Sequence, residues 1–283
     1  MSNIFNLDEI MPKGNSKRIM SFNVLNVFVS KPADWHCAEK RAAGAAEIIL
    51  ASGCDFVCLQ EYDSYYRWNE ENIHSKIASK YTEVKLTGYL DYNIWNPIFY
   101  DAQKYTVLES GVVDFFAAGI KSREYFSDQD GTKRSHFREF VWAVFEDNAD
   151  KKLYLIGNLH FSAGEELDLY HREESEMVIH RVKEILKKYN ATVLIAGDYN
   201  SAPSTDNRGR FYMKEAGFID THDLTENVDN SPSDSKGYGE YETHSIDHVM
   251  TLSSDLRVEA HYKTMPTKLS HVSDHSPLVV QFT

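Results

Sequence analysis

Cysteine is scarce in this chain: 283 residues hold three, Cys37, Cys54 and Cys58. An odd number forms no even disulfide framework, and the pair Cys54 and Cys58 has no second pair to complete a structural zinc site. Reduced, buried thiols are the better reading, and they fit a reducing compartment. Long apolar runs are also missing, and nothing approaches the roughly eighteen residues of a membrane span. The N-terminal MSNIFNLDEIMPKGNSKR lacks the basic start and apolar core of a secretory signal. The expectation is a soluble, cytoplasmic protein. Positive charge is in deficit, with 30 Lys+Arg against 43 Asp+Glu and a net charge of −13. That argues against a broad, non-specific grip on nucleic acid. It leaves a phosphate substrate open, because a carboxylate-rich site neutralised by a divalent cation inverts the local field.

What is present is enough to build a large core: 42% hydrophobic and 13% aromatic residues. No internal repeat and no Pro/Gly/Ser tract divides the chain, so one domain over 18–283 with an N-terminal extension at 1–17 is expected. Strand-like runs fall at 19–25, 56–60, 83–87, 97–100, 105–116, 138–146, 153–161, 192–197, 246–252, 256–262 and 278–282. Helical spacing of Ala42, Ala45, Ala46 and Ile49 predicts a helix over 38–52, ended by Gly53. A second helix is predicted over 166–189, with Val178, Val182, Ile185 and Tyr189 as its apolar stripe, and a short one at 207–216. Residues 122–135 and 225–243 read as polar loops. Strands mixed with β–α–β passages predict two layers of sheet with helices outside.

The chemistry-bearing residues stand where apolar strands end. Phe56 to Gln60 runs into Glu61, Leu153 to Leu159 into His160, and Val193 to Gly197 into Asp198, with Asn200 two residues on. Ser273-Asp274-His275-Ser276-Pro277 precedes the last apolar run. Hydrolysing a phosphoester takes charge neutralisation, a positioned water and a proton for the leaving oxygen. Carboxylate and amide oxygens are hard ligands suited to Mg²⁺, which makes Glu61 the natural metal ligand, with Asn23 able to add an amide contact. Asp198 and Asn200, at i and i+2, share one face if the strand continues. His160 and His275 are the imidazoles placed for proton transfer and phosphate binding. Asp247 is placed to orient an imidazole, and Asp274 to hold a metal-bound water or the metal. Read singly, each Asp or His is better explained as a surface group or a satisfied core partner, and His244, His248 and His271 fit that reading. Gly-Asp-x-Asn alone is also a common turn. Their joint order across one domain is what carries weight.

That order resembles the endonuclease/exonuclease/phosphatase superfamily. SFNVLN is similar to its opening asparagine motif, CLQE to its metal-glutamate motif and GNLHF to its histidine motif. GDYNSAP, SIDHV and SDHSP resemble the GD-x-N, late aspartate and closing motifs. NPIFYD (96–101) and HFREFVWAVFE (136–146) are similar to the segments between the second and third motifs. The resemblance implies an α/β (α+β) fold, a four-layer αββα sandwich of two mixed β-sheets flanked by helices. It also implies Mg²⁺- or Mn²⁺-dependent phosphoester hydrolysis by a monomer. On that pattern Glu61 and Asn23 bind metal, with Asp274 nearby. Asp198 activates or positions water, Asn200 and His160 hold the phosphate, and His275 paired with Asp247 acts as acid–base or transition-state stabiliser. The pancreatic DNase type adds an acidic partner for the first histidine, and here Asn93, Asn96 and Asp101 occupy that neighbourhood.

For substrate, SFNVLN and QEYD are most similar to the branch of deadenylases and circadian-type phosphatases, which points to a phosphodiester in RNA, DNA or a nucleotide. Tyr62, Tyr65, Tyr66, Arg67 and Trp68 offer a stacking platform for bases, or else a packed aromatic loop. Arg208 and Arg210 offer a contact to a second phosphate. Inositol or lipid head-group phosphates form the second substrate class, and a catalytically inactive binding module is the non-enzymatic alternative.

Overall fold

The fold follows from two periodicities in the chain. In the computed structural model, residues 7, 12–26, 38–63, 66, 72–86, 94–115, 125–127, 133–135, 138–163, 168–229, 245–263 and 272–283 are described. Strands β1 (Lys17–Asn23), β2 (Phe56–Gln60), β3 (Thr82–Glu83), β4 (Ile98–Tyr100), β12 (Val228–Asp229), β14 (Val258–Lys263) and β15 (Leu278–Phe282) form one sheet, ordered β12-β14-β15-β1-β2-β4-β3. The second sheet is β11-β13-β10-β9-β8-β5, from β5 (Tyr105–Asp114), β8 (Glu139–Asp147), β9 (Leu153–His160), β10 (Thr192–Asp198), β11 (Ile219–Asp220) and β13 (Asp247–Thr251).

Each sheet is built around one parallel pair joined by a crossover helix. Helix α1 (Ala38–Ser52) connects β1 to β2, and α3 (Asp168–Leu186) connects β9 to β10. Antiparallel neighbours flank both pairs, β15 and β4 in the first sheet, β13 and β8 in the second. Crossovers of this kind put the helices on the outer faces. The short helices α2 (Ile73–Ile77) and α4 (Gly209–Glu215) lie on the same outer sides as α1 and α3.

Three apolar clusters result. Ala42, Ala45, Ala46 and Ile49 of α1 pack on Met20, Phe22, Val57 and Leu59. Val178, Val182 and Ile185 of α3 pack on Leu155, Leu159, Val193 and Ile195. Between the sheets lie Ile19, Phe56, Cys58, Ile156, Leu194, Val249, Leu278 and Val280. This is the expected αββα sandwich of two mixed sheets, and the period-2 alternation of each strand is what divides its residues between inner and outer layers.

Some expectations are corrected. Residues 122–135 hold a two-stranded hairpin, β6 (Tyr125–Ser127) with β7 (Lys133–Ser135), where a loop is predicted. Of the described residues of the run at 83–87 only Glu83 is in a strand, the two-residue β3, and the loop at 225–243 includes β12, paired in parallel with β14. Helix α1 spans the predicted residues and stops at Gly53 (φ +63°). Cys54 and Cys58 are free and buried, and burial pushes both thiols up, Cys54 to about 11. Cys37 lies outside the described residues.

Candidate active site

Following the inner face of the sandwich toward one end shows how the sequence places the site. On β1 the inward residues are Ile19, Ser21 and Asn23; on β2, Phe56, Cys58 and Gln60; on β9, Ile156, Asn158 and His160; on β10, Leu194, Ala196 and Asp198. Each strand thus passes from the apolar core to a polar end. Gln60 Nε2 donates to Asn158 Oδ1 (2.7 Å) and Ser21 Oγ (3.2 Å), and Asn158 Nδ2 donates to the carbonyls of Leu59 and Pro97, both at 2.8 Å. The amide N–H donors of this layer are all used within it, while Gln60 Oε1 is buried without a partner among the described residues. The layer separates the greasy interior from the charged groups above.

Asp198 is the hub of those groups, buried between four donors. Its Oδ1 accepts the Asn200 backbone N–H at 2.9 Å. Its Oδ2 accepts from Asn23 Nδ2 at 3.1 Å and lies 3.4 Å from His160 Nε2 and 3.7 Å from His275 Nε2. Asn23 comes from the other sheet, and the same Nδ2 donates to Glu61 Oε1 at 3.1 Å, so one amide ties Glu61 to Asp198 across the sandwich. Asn26 gives its backbone N–H (3.1 Å) and its side-chain amide to Glu61 Oε2. Ser273 Oγ donates to the Asn23 carbonyl at 2.6 Å and accepts the His275 backbone N–H at 3.1 Å, which draws the closing motif onto the end of β1.

Asp247 faces Asp198 across the β10–β13 ladder, and both its oxygens, at 3.1 and 3.0 Å, meet His275 Nδ1. Lys263 Nζ adds a 3.0 Å ion pair to the same carboxylate. Burial alone would raise Asp247, but the His275 and Lys263 charges hold it well below the usual carboxylate range. Burial alone would lower His275, and Asp247 together with Asp198 reverses that, leaving the imidazole far more basic than usual. Asp198 is raised, chiefly by burial and further by Asp247, although His275 and the Asn200 and Asn23 donors oppose the rise. The result is a buried cationic imidazole held by one carboxylate and facing another.

Asp198, Asp247 and His275 offer atoms within 4.8 Å of one another, a spacing that also suits a metal ion. In this site the Asp247–His275 contact is a two-oxygen dyad, so the donor set better suited to a hard cation is Glu61 with Asp274. Glu61 is partly exposed at the rim, and Asp274 Oδ1 is buried with no hydrogen-bond partner among the described residues. An orphaned carboxylate oxygen beside a carboxylate-rich edge fits a divalent cation. Asn23 turns its NH₂ toward Glu61 and Asp198, while its Oδ1 accepts the Leu25 N–H at 2.9 Å.

Backbone strain gathers here. Of five non-glycine residues with positive φ among those described, Leu25 (54°), Glu61 (57°) and Asn200 (46°) lie at this edge. Such conformations cost about 1 kcal/mol or more each and persist where the surroundings over-determine them.

All eight expected residues stand at this end of the sandwich, but the route differs for Asn200. The strand stops at Asp198, and Asn200 turns into the left-handed region and donates Nδ2 to the Phe161 carbonyl at 2.8 Å. It reaches the site through a turn, not by sharing a strand face. Other expectations are overturned. Tyr62 and Tyr66 are fully buried and stacked on each other, which removes them from an exposed platform; Tyr65, Arg67 and Trp68 lie outside the described residues. Arg210 is buried against Asp220 (Nε–Oδ2 2.8 Å) and offers no phosphate contact. Asp101 sits at the opposite pole beside Asp55 and Lys104, and Asn93 is outside the described residues. Asn96 does lie near the histidine strand, but as a neighbour of Glu139, whose Oε1 accepts from the backbone N–H of Trp95 (2.7 Å) and Asn96 (3.1 Å). Glu139 is one rung past the Phe140–Leu159 pair, the position opposite His160, and so is the acid of that neighbourhood. Asn26, Lys263 and Glu139 were missed from sequence. The first two had no distinguishing pattern, while Glu139 sits on the inward alternation of Val141, Ala143 and Phe145.

No protein-family model and no curated sequence matches the chain. Solved structures do. An endonuclease/exonuclease/phosphatase from Bacteroides vulgatus superposes with TM-score 0.71 at 18% identity, over 95% of this chain and 98% of that one. A mannosyl-6-phosphatase from Bacteroides thetaiotaomicron gives 0.68 at 16%, over 95% and 100%. D. rerio TDP2, complexed with single-strand DNA product, gives 0.66 at 17%, over 95% and 99%. Among the described residues no helix is long and apolar enough to cross a membrane. The two-sheet sandwich, matched end to end by these structures, is the endonuclease/exonuclease/phosphatase fold.

Proposed function

We propose that this protein is a divalent-metal-dependent phosphoester hydrolase acting at the Asp198 edge. The observation that carries the reading is the single Asn23 amide joining Glu61 to Asp198, with His160 and His275 aimed at the same Asp198 oxygen. Mg²⁺ or Mn²⁺ held by Glu61 and Asp274, with Asn23 beside them, would supply charge neutralisation and Lewis acidity.

The chain's own groups do the rest. Asp198, buried and raised, accepts a proton from an attacking water and aligns it. His160 and His275 present N–H donors toward the phosphoryl oxygens, and the Asp247 carboxylate keeps His275 protonated so that it offers positive charge as negative charge builds. Asn200, locked in its turn, adds an amide at the same rim.

The preferred substrate is a phosphodiester in nucleic acid or a nucleotide. The TDP2 complex supports it, because that relative of like fold holds a DNA strand. The mannosyl-6-phosphatase favours a second reading, a sugar, inositol or lipid head-group monoester. Hydrolysis of nitrophenyl diesters and monoesters with Mg²⁺, Mn²⁺ or chelator, in wild type and Asp198→Ala, separates them. Metal-dependent diester cleavage lost in the variant supports the first reading, and monoester cleavage alone supports the second. Metal-independent turnover, or turnover that survives in the variant, overturns both.

A further inference from the structure

The groups around Asp198 Oδ2 ride on two short exits, His160–Ser162 after β9 and Asp198–Ser201 after β10. The exits pair with each other at His160 and Asp198. The Phe161 N–H donates to the Asp198 carbonyl at 3.0 Å and the Tyr199 N–H to the Ile246 carbonyl at 2.8 Å. Beyond these bonds Ser162 and Ser201 are buried outside any ladder. Each is clamped from beneath by an imidazole on the outer side of the second sheet.

The first clamp is His171 of α3. Its Nε2 meets the Ser162 carbonyl, and its Nδ1 accepts the Gly209 backbone N–H at 3.0 Å. One acceptor and one donor partner fix a neutral ring with its proton on Nε2. Glu174, one turn on, accepts from Ser162 N (3.0 Å) and Oγ (2.5 Å).

The second clamp is His248, next to Asp247 but on the opposite face of β13. Its Nε2 lies 2.9 Å from the Ser201 carbonyl and its Nδ1 2.9 Å from Asp220 Oδ2. Neither partner has a proton to give. A carbonyl never does, and Asp220 Oδ2 is already the acceptor of Arg210 Nε at 2.8 Å. Both ring nitrogens of His248 therefore face acceptors, and the geometry calls on both to donate. Asp220 is fixed in turn by Arg210 Nε at 2.8 Å and by the His222 backbone N–H at 3.1 Å. The Tyr199 ring packs edge-on against His248, centroids 5.5 Å apart.

The two clamps are joined. Gly209 donates to His171, and its neighbour Arg210 donates its backbone N–H to Ser201 Oγ at 3.0 Å. Arg210 also reaches Asp220, so one dipeptide touches both systems.

We propose that His248 and Asp220 are positioning residues for the reaction, a buried histidine–carboxylate pair that holds the Asp198–Ser201 turn in register with the His160 exit through Arg210, Gly209 and His171. They touch no substrate, and they act by fixing where Asp198 and Asn200 point. The kinetic part rests on the phosphoesterase reading, and the structural part stands without it.

The test compares His248→Phe, which keeps the ring against Tyr199 but removes both donors, with His248→Gln, which keeps one amide donor, and Asp220→Asn. Three quantities are read: ¹⁵N NMR of the wild-type His248 ring, hydrogen exchange at the Asn200 and Arg210 amides, and kcat and KM on a phosphoester that the wild type turns over. Expected are two protonated ring nitrogens at neutral pH and exchange at least about tenfold faster in His248→Phe. Loss of positioning of this size lowers kcat by about ten- to a hundredfold with KM little changed, and His248→Gln falls between. Should His248→Phe not fold, His248→Gln and Asp220→Asn decide. One bare ring nitrogen, or unchanged exchange in every folded variant, overturns the proposal. So does a kcat within about twofold of wild type in all of them. A wild type inactive on every phosphoester defeats the functional reading alone, and exchange and NMR then decide this one.

Discussion

Replacing Asn23 tests whether this edge is built around excess negative charge. Its Nδ2 donates to both Glu61 and Asp198, each at 3.1 Å. Asn23→Ala removes two hydrogen bonds to charged acceptors, worth about 1.5–3 kcal/mol each. Glu61 keeps Asn26 and some solvent, so the sum falls to roughly 2–4 kcal/mol. Asn23→Asp loses the same bonds and adds a carboxylate beside two others. Each such pair is worth about 4 kcal/mol at 4 Å and an effective dielectric of 20. Asp198, already raised by burial, relieves part of this by taking a proton, leaving about 2 kcal/mol more than the alanine variant loses. At about 2 °C per kcal/mol for a chain of this size, chelator-treated samples should melt in the order wild type, Ala, Asp, the last about 8–12 °C below wild type. A cation reverses the lower two, because Asp becomes an extra hard ligand and Ala does not. Scanning calorimetry in chelator and in excess Mg²⁺ reads both orders. If Ala stays above Asp in Mg²⁺, or if Mg²⁺ shifts neither, the reasoning about the cation is wrong.

Other outcomes follow from the same contacts. His275→Ala should lower kcat by about 10²–10⁴ with the fold kept, and Asp247→Asn, which unpins the imidazole, should also lower it; pre-steady-state rates on a diester check both. Gly197→Ala places a Cβ 2.2 Å from the Leu159 carbonyl, so the β9–β10 ladder must shift at Asp198, with a cost of at least about 1–3 kcal/mol by urea titration and a fall in turnover. One buried histidine should lose its contribution as the pH falls below neutrality. Burial lowers folded His261 to about 3 from 6.5, so its contribution is complete above 6.5 and is lost as pH falls, by about 1.4 kcal/mol per unit between those values. His275 is raised, so it is charged in both states below pH 6 and adds no slope there. Asp198, raised by burial to about 6, takes up a proton in the folded state over the same range and opposes this loss, so the readout is a comparison. Measured by urea unfolding, the step from pH 6.0 to 5.0 should cost wild type about 1.4 kcal/mol more than it costs His261→Leu.

Much of the site was legible because strands deliver side chains by alternation. Ile156-x-Asn158-x-His160 and Leu194-x-Ala196-x-Asp198 each carry one inward face from core to catalytic edge, and the apolar run marks the strand. The same alternation failed at Asn200, where the backbone leaves the strand one residue early and a positive φ replaces the face rule. The pairing of 125–127 with 133–135 was illegible because each strand is three residues long, with Tyr125 and Phe126 adjacent and no apolar period across the two. Arg210 was misjudged for a different reason, and the Tyr62–Tyr66 pair was left between an exposed and a packed reading on the same ground. Residue type says nothing of burial when the partner, Asp220 or the stacked ring, is remote or packed inward. Contacts between sheets, Asn23 to Asp198 above all, join residues 175 apart in sequence, and only the folded register brings them together.

The most direct measurement is a Mg²⁺ titration of diester hydrolysis by chelator-stripped wild type, Glu61→Ala and His275→Ala. Activity should return in wild type, return in Glu61→Ala only at much higher Mg²⁺, and fail to return in His275→Ala at any concentration. Hydrolysis indifferent to chelator, or both variants titrating like wild type, would contradict a metal-dependent phosphoesterase at this edge.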